Sequence, residues 1–180
     1  MENLKVTAEH VTSWDLAYEL ALATEGKVPT KSPDAVWISK MLMAEHSPIR
    51  AKLYKIRIEN VPMWVTTHFV RHKIGVEHFV HTQREDRRDI GVPRNELPQG
   101  ALNDMTMLAN AQAIINISRK RLCNKASSET QEVWRAVYSA VKAIDPLMAS
   151  YMRAECTYRG SCPEIRPCFK TKKDGKSNRP

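Results

Sequence analysis

Between residues 66 and 94 the sequence TTHFVRHKIGVEHFVHTQREDRRDIGVPR gathers His68, Arg71, His72, Lys73, His78, His81, Arg84, Arg87, Arg88 and Arg94. A guanidinium fork matches two phosphate oxygens at once, and an imidazole titrates near neutrality. The stretch therefore suits an anionic ligand and proton transfer beside it. Two readings divide it. Glu85, Asp86 and Asp89 can neutralise Arg87 and Arg88 locally, which makes that part a solvated charged loop. Arg71 and His72 instead follow Phe69-Val70 at the end of an apolar stretch, and are expected to point into a half-buried site.

Other chemistries fit less well. His68 and His72 stand four apart and His78 and His81 three apart, a spacing that permits metal ligation. However, Phe69 stands where a His-Glu-x-x-His motif needs its Glu, and no metal is expected. Cys156, Cys162 and Cys168, with Cys123 as a fourth thiol, lack the Cys-x2-Cys knuckle and read as reduced cysteines. The six glycines (26, 75, 91, 100, 160, 175) form neither a dinucleotide fingerprint nor a P-loop, and there is no Gly-x-Ser-x-Gly elbow. Any nucleotide bound here must have its phosphates held by side chains and helix ends.

The elements that must position these residues follow from periodicity. Residues 12–24 are rich in Ala and Leu behind Ser13, an N-cap type, and predict a helix. Ser32-Pro33-Asp34 predicts a second helix over 33–44. Over 54–59, Tyr54, Ile56 and Ile58 alternate with Lys55, Arg57 and Glu59, the period of a half-buried strand. Pro62 opens a short helix toward His72, and around Gly75 strand and loop are both open. Residues 84–100, with Gly91, Pro93, Pro98 and Gly100, predict a surface loop.

Residues 105–122 carry the strongest helical pattern, with Met107, Leu108, Ala111, Ile114, Ile115, Ser118 and Leu122 on one broad face. Asn103, Asn110, Ile117 and Arg121 share an edge of that helix, Asn110 and Arg121 being about 16 Å apart. That edge suits either a ligand groove or the plain border of an apolar face. Ser128 with Gln131 is a capping-box signature for a last long helix, which Pro146 stops. The tally is helix-rich with little strand, an α+β single domain.

Composition sets the bounds. The chain has 180 residues, 42% hydrophobic and 27% charged, which suits one soluble domain. Its net charge is +8, and residues 170–180 hold five bases and one acid, so half of the excess (5 − 1 = +4) lies in a basic tail. We expect a single catalytic domain over 1–169 and a flexible tail beyond it. The remaining charge favours anionic partners mildly. Binding of nucleic acid through Arg84, Arg87, Arg88 and the tail is the weaker alternative, because no aromatic residue is interleaved over 84–94 for base stacking. No apolar run reaches the roughly 18 residues of a membrane span, and MENLKVTAEH lacks a signal-peptide pattern, so a cytoplasmic location is expected.

In one frame, these residues resemble the flavin-dependent thymidylate synthases. That family's signature is Arg-His-Arg, seven residues, then Ser; here Arg71-His72-Lys73, seven residues, then His81 occupy it. His46-Ser47-Pro48 resembles the family's His-x-x-Pro segment, one residue shorter, and Pro62 keeps the spacing to Arg71. Arg94-Asn95-Glu96-Leu97-Pro98 resembles its substrate-phosphate Arg four residues before a Pro. Asn110, Asn116 and Arg121 continue in register, so the likeness spans residues 46–134. Departures cluster on the substrate side. Lys73 replaces an Arg, His81 the Ser, Gln83 a nucleotide-binding Arg with Arg84 beside it, and His68 a Gln. Only twelve residues separate His81 from Arg94, where the family has a longer segment.

The resemblance implies a helix-rich α+β domain with a small antiparallel sheet, assembled as a homotetramer with shared active sites. It implies FAD as cofactor, with NADPH and methylenetetrahydrofolate as co-substrates and dUMP as the expected pyrimidine nucleotide. His46, Arg71, His72, Lys73, Asn110 and Asn116 would hold the flavin. His68, Gln83, Arg84, Arg94 and Arg121 would hold the nucleotide, with His81 and Arg121 nearest the chemistry. The departures leave methylation of dUMP and hydroxymethylation of dUMP or dCMP as the two reactions.

Overall fold

A computed structural model describes residues 1, 3–87 and 91–168; Arg88, Asp89 and the basic tail lie outside the described residues. Four strands form one antiparallel sheet in the order β1-β2-β4-β3: β1 Lys5–His10, β2 Leu53–Pro62, β3 Val76–Val80 and β4 Leu102–Asn110. The helices are α1 Trp14–Ala23, α2 Ala35–Ala44, α3 Met63–Phe69, α4 Ala111–Arg121, α5 Ser128–Ile144, α6 Pro146–Ala149 and α7 Glu155–Arg159. Two 3₁₀ turns, Ser47–Ala51 and Arg94–Glu96, fill connections. Among the described residues no helix is long and apolar enough to cross a membrane.

Side-chain period builds the core. Tyr54, Ile56 and Ile58 of β2 are wholly buried, while Lys55 and Arg57 face out, as the alternation predicts. Helix α5 lies against β1 and β2 on the buried face of the sheet and inserts Val133, Trp134, Val137 and Val141. Each buried valine contributes about 1.5–3 kcal/mol by leaving water. Trp134 also ties three elements together. Its ring packs 5.5 Å from that of Phe69 on α3, and its Nε1 donates to Ser118 Oγ of α4 at 2.9 Å. The outward face, with Lys55, Arg57, Glu77 and Phe79, stays exposed.

The structure corrects the helix expected over 105–122, because its first part is strand. Asn103, Met105, Met107 and Ala109 are buried and alternate with half-buried Asp104, Thr106 and Leu108. Met, Leu and Ala are good helix formers, but a slot between two strands overrides that preference: Met107 faces Ile56 of β2 on one side and His78 of β3 on the other. The period changes at Asn110, whose side chain accepts from the Ala113 N–H at 2.8 Å and caps α4. Asn103 is thus a strand residue, and the supposed edge joining it to Ile117 and Arg121 does not exist.

Caps explain the other boundaries. Ser13 caps α1 as expected, accepting from Leu16 N. Asp34, not Ser32, caps α2, accepting from Trp37 N at 2.8 Å, so the helix begins after Pro33. Ser127, not Ser128, caps α5, and Gln131 turns to the Ala126 carbonyl instead of closing a capping box. Asp145 ends α5 and caps α6, where Pro146 is the first residue rather than only a stop.

Candidate functional site

Arg121, the last residue of α4, reaches back to the end of α3. Its Nε donates to His72 Nε2 at 3.0 Å and its Nη2 to the His68 carbonyl. A guanidinium only donates, so His72 Nε2 carries no proton and the ring is the Nδ1–H tautomer. Burial, then Arg121 and His78, push His72 down to about 4, which keeps this imidazole neutral at physiological pH. Arg121 is itself held below its ordinary value by burial and by the charge of Arg71. His68 is lowered too, by burial first and then by Arg121 and Arg71. Arg71, Arg121, His68 and His72 thus crowd one surface, and none of them makes an ion pair with a carboxylate among the described residues, a field that favours an anion.

Two more residues brace this cluster. His78 of β3 donates Nε2–H to the His72 carbonyl at 2.8 Å, fixing the turn after α3. Its Nδ1 is then a bare lone pair, buried and without a protein partner. Gly75 sits in the left-handed region at φ +73, where a Cβ would fall 2.5 Å from Asn110 Nδ2. The Asn110 N–H donates to the Gly75 carbonyl at 2.9 Å, so the turn between α3 and β3 and the start of α4 are locked together. Arg71 and Lys73 lie exposed on that turn, and neither makes an ion pair among the described residues.

The remaining expected residues fall in two other places. His81 follows β3 at the opposite end of the β3–β4 pair, with its Nδ1 3.7 Å from Asp104 Oδ2 and its N–H on the Asp104 carbonyl at 2.9 Å. From Asp104 to Asn110 the strand runs about 20 Å at its ordinary rise. Beyond His81, Gln83 is half-buried and Arg84 forks onto Asp86 at 2.9 and 2.7 Å. Arg87 also points at Asp86, at 3.6 Å, so the solvated-loop reading holds for it. Arg94 is exposed, and its backbone N–H donates to Glu85 Oε1 at 2.7 Å.

Asn116 lies on another flank of α4, about 140° around the helix from Arg121. Its Oδ1 accepts from Arg119 Nη1 at 3.1 Å, and Arg119 pairs with Glu45 at the end of α2, immediately before the exposed His46. Tyr158 of α7 stacks under the Arg119 guanidinium at 3.7 Å. Burial alone raises Glu45, but hydrogen bonds from Arg119, Gln112 and Tyr158 outweigh it and hold the carboxyl below its ordinary value.

One chain therefore joins His68, His72 and Arg121 directly, with Arg71 beside them and Asn110 attached through Gly75. It does not join them to His81, Gln83, Arg84 and Arg94, or to His46 and Asn116. Clefts of about 500 and 520 Å³ lie elsewhere, one bounded by Arg135, Tyr138 and Met152, the other by Trp14, Lys52 and Asp145. The His68–His72 spacing is not a helical pair, since α3 ends at Phe69 and His72 stands beyond it. Among the described residues, no three His, Cys, Asp or Glu side chains form a metal-binding group. Sequence reasoning missed Ser127 and Thr130, which reach His68 from α5 through tertiary packing. The capping signal one residue later was the only hint of Ser127.

The α+β architecture carrying this cluster is shared with two solved nucleotide-methylating proteins. Thymidylate synthase X from Helicobacter pylori, solved with FAD and dUMP, superposes with a TM-score of 0.63 at 16% identity, covering 85% of this chain and 98% of that one. The UMP/dUMP methylase PolB from Streptomyces cacaoi, solved with 5-Br dUMP, superposes with a TM-score of 0.63 at 14% identity, covering 82% and 94%. No family model and no curated protein sequence matches the chain. At these identities the likeness establishes the fold.

Proposed function

We propose that this protein is a flavin-dependent nucleotide-modifying enzyme that transfers a one-carbon unit to dUMP, with methylation to dTMP as the reaction. The observation that carries the reading is the Arg121–His72–His68 cluster beside Arg71, a water-facing nest of donors held on a fold shared with two proteins solved with dUMP or its bromo analogue. The donor set fits an anionic, hydrogen-bonding cofactor. Arg71 and Lys73 are uncommitted cations, His72 presents a neutral Nδ1–H, Asn110 keeps its Nδ2 donor, and His78 Nδ1 is an acceptor awaiting a donor. When bound, FAD would supply the hydride, drawn from NADPH, that completes a methyl group given by methylenetetrahydrofolate.

The chain's own residues orient and stabilise. Arg71, His72 and Lys73, with His46, Asn110 and Asn116, would hold the flavin, their positive field stabilising negative charge on it. Arg94 and Arg121 would clamp the phosphate of the nucleotide, with Gln83 or Arg84 assisting and His68 on the substrate side. Gln83, Arg84 and Arg94 make no hydrogen bond to the cluster among the described residues, and in the homotetramer with shared sites that this reading takes, they would complete the Arg121 cluster of another subunit. Arg84 would exchange its Asp86 partner for phosphate on assembly. His81, poised against Asp104 at 3.7 Å, can accept or return a proton at its ring nitrogen. The residues His81, Gln83 and His68, which depart from the family's pattern, favour a second reading, hydroxymethylation of dUMP or dCMP. The enzyme would act in the cytoplasm.

Incubation with FAD, NADPH, isotopically labelled methylenetetrahydrofolate and dUMP or dCMP tests this by mass spectrometry of the nucleotide. A labelled methyl group on dUMP is the expected product. A labelled hydroxymethyl group selects the second reading, and unlabelled nucleotide throughout rejects both.

A further inference from the structure

Thr130 of α5 is wholly buried, yet its hydroxyl faces His68 rather than its own helix. Ser127 Oγ donates to Thr130 Oγ1 at 2.8 Å, which leaves the threonine hydrogen to find an acceptor. Among the described residues that acceptor is His68 Nδ1, at 2.8 Å. The His68 ring is held in plane by Trp64, edge to face at 75° with centroids 5.5 Å apart. Its Nε2 has no protein partner among the described residues, on a side chain only half-buried beside Arg121 and Arg71.

We infer that Thr130, oriented by Ser127, is a positioning residue that fixes His68 as the Nε2–H tautomer and so makes it a hydrogen-bond donor to an oxygen of the bound nucleotide. A hydroxyl can donate or accept, but Thr130 has already accepted from Ser127, and its one hydrogen must go to His68. The ring nitrogen facing α5 is thereby an acceptor, and the proton sits on the open side. Arg121 imposes the opposite tautomer on His72 through its Nε. Two neutral imidazoles on one surface thus present different faces. His68 offers Nε2–H and His72 offers Nδ1–H, so both are donors where an anion or carbonyl would sit. This inference rests on the nucleotide reading above for its ligand, but not for its tautomer.

The test is the nitrogen-15 spectrum of histidine-labelled protein, with the His68 ring assigned by loss of its signals in His68→Gln. The free wild-type protein is expected to show His68 protonated at Nε2. Thr130→Val, which keeps the shape and removes the hydroxyl, is expected to give a mixture of tautomers and to weaken dUMP binding about tenfold, the loss of one hydrogen bond. Thr130→Ser is expected to restore both. Ser127→Ala loosens the tautomer without altering the buried threonine and serves if Thr130→Val does not fold. A wild-type ring protonated at Nδ1, or a ring unchanged in Thr130→Val, overturns the inference. A ring protonated at Nε2 in a protein that binds no dUMP refutes the nucleotide reading itself and not the tautomer.

Discussion

Gly75→Ala separates the geometry of this site from its composition, because it adds one methyl group and no charge. At φ +73 an alanine is strained by about 1–2 kcal/mol before it touches anything. Its Cβ would also fall 2.5 Å from Asn110 Nδ2 and 2.9 Å from Oδ1, a separation that real side chains do not tolerate. The amide must therefore move, and with it goes the 2.8 Å bond from the Ala113 N–H that caps α4. Loss of such a cap costs roughly 1 kcal/mol. The sum is about 2–3 kcal/mol, which for a chain of this size lowers the melting midpoint by roughly 5–10 °C. A double-mutant cycle read by urea denaturation isolates the clash. Asn110→Ala removes both the cap and the obstructing amide, so Gly75→Ala placed on it is expected to cost only the backbone strain. Strictly additive penalties, or a Gly75→Ala protein within about 0.5 kcal/mol of wild type, would refute the reasoning.

Two further perturbations probe the buried polar groups. His72 is held at about 4 against an ordinary 6.5, so as the pH falls the unfolded chain takes up this proton first. The stability it confers is complete above pH 6.5 and is lost between 6.5 and 4. The full shift would amount to about 3 kcal/mol, and solvent screening reduces it to roughly 1–2 kcal/mol. Urea midpoints measured from pH 7 to 4 should show that slope, and His72→Gln should flatten it; an unchanged slope rejects the assignment. Asp145 accepts from Trp14 Nε1 at 2.8 Å, Tyr54 Oη at 2.7 Å and Met148 N at 3.0 Å. Asp145→Ala orphans two side-chain donors and a cap and should cost about 4 kcal/mol in a denaturation experiment; a cost below about 1 kcal/mol would contradict the buried network.

Much of this arrangement is legible in the sequence, and the rest is hidden for identifiable reasons. Ser13 before an Ala- and Leu-rich run and the alternation of Tyr54, Ile56 and Ile58 announce their elements, because cap chemistry and side-chain period are local. Strand β4 is hidden because its alternating Met105, Met107 and Ala109 run directly into the helical spacing of Ile114, Ile115 and Ser118. Only its pairing with β2 and β3 separates the two. Edge strand β1 is short and mostly exposed, so Val6 and Ala8 alone carry its period. At the site, residue types marked Arg71, His72 and Arg121, and the fold brings them together. The contact of Thr130 with His68 depends on how Trp134 seats against Phe69, which no local pattern specifies. Nor does local pattern reveal that His81 stands at the end of β3 away from Gly75, against Asp104.

The central claim is that the Arg121 cluster and the turn before Gly75 hold a flavin against a pyrimidine nucleotide. The absorption spectrum of the purified protein, recorded before and after addition of FAD and then of dUMP, bears on it most directly. The account predicts a flavin band that stays with the protein through gel filtration and shifts when dUMP is added. A colourless protein that retains no FAD, with or without dUMP, would contradict it.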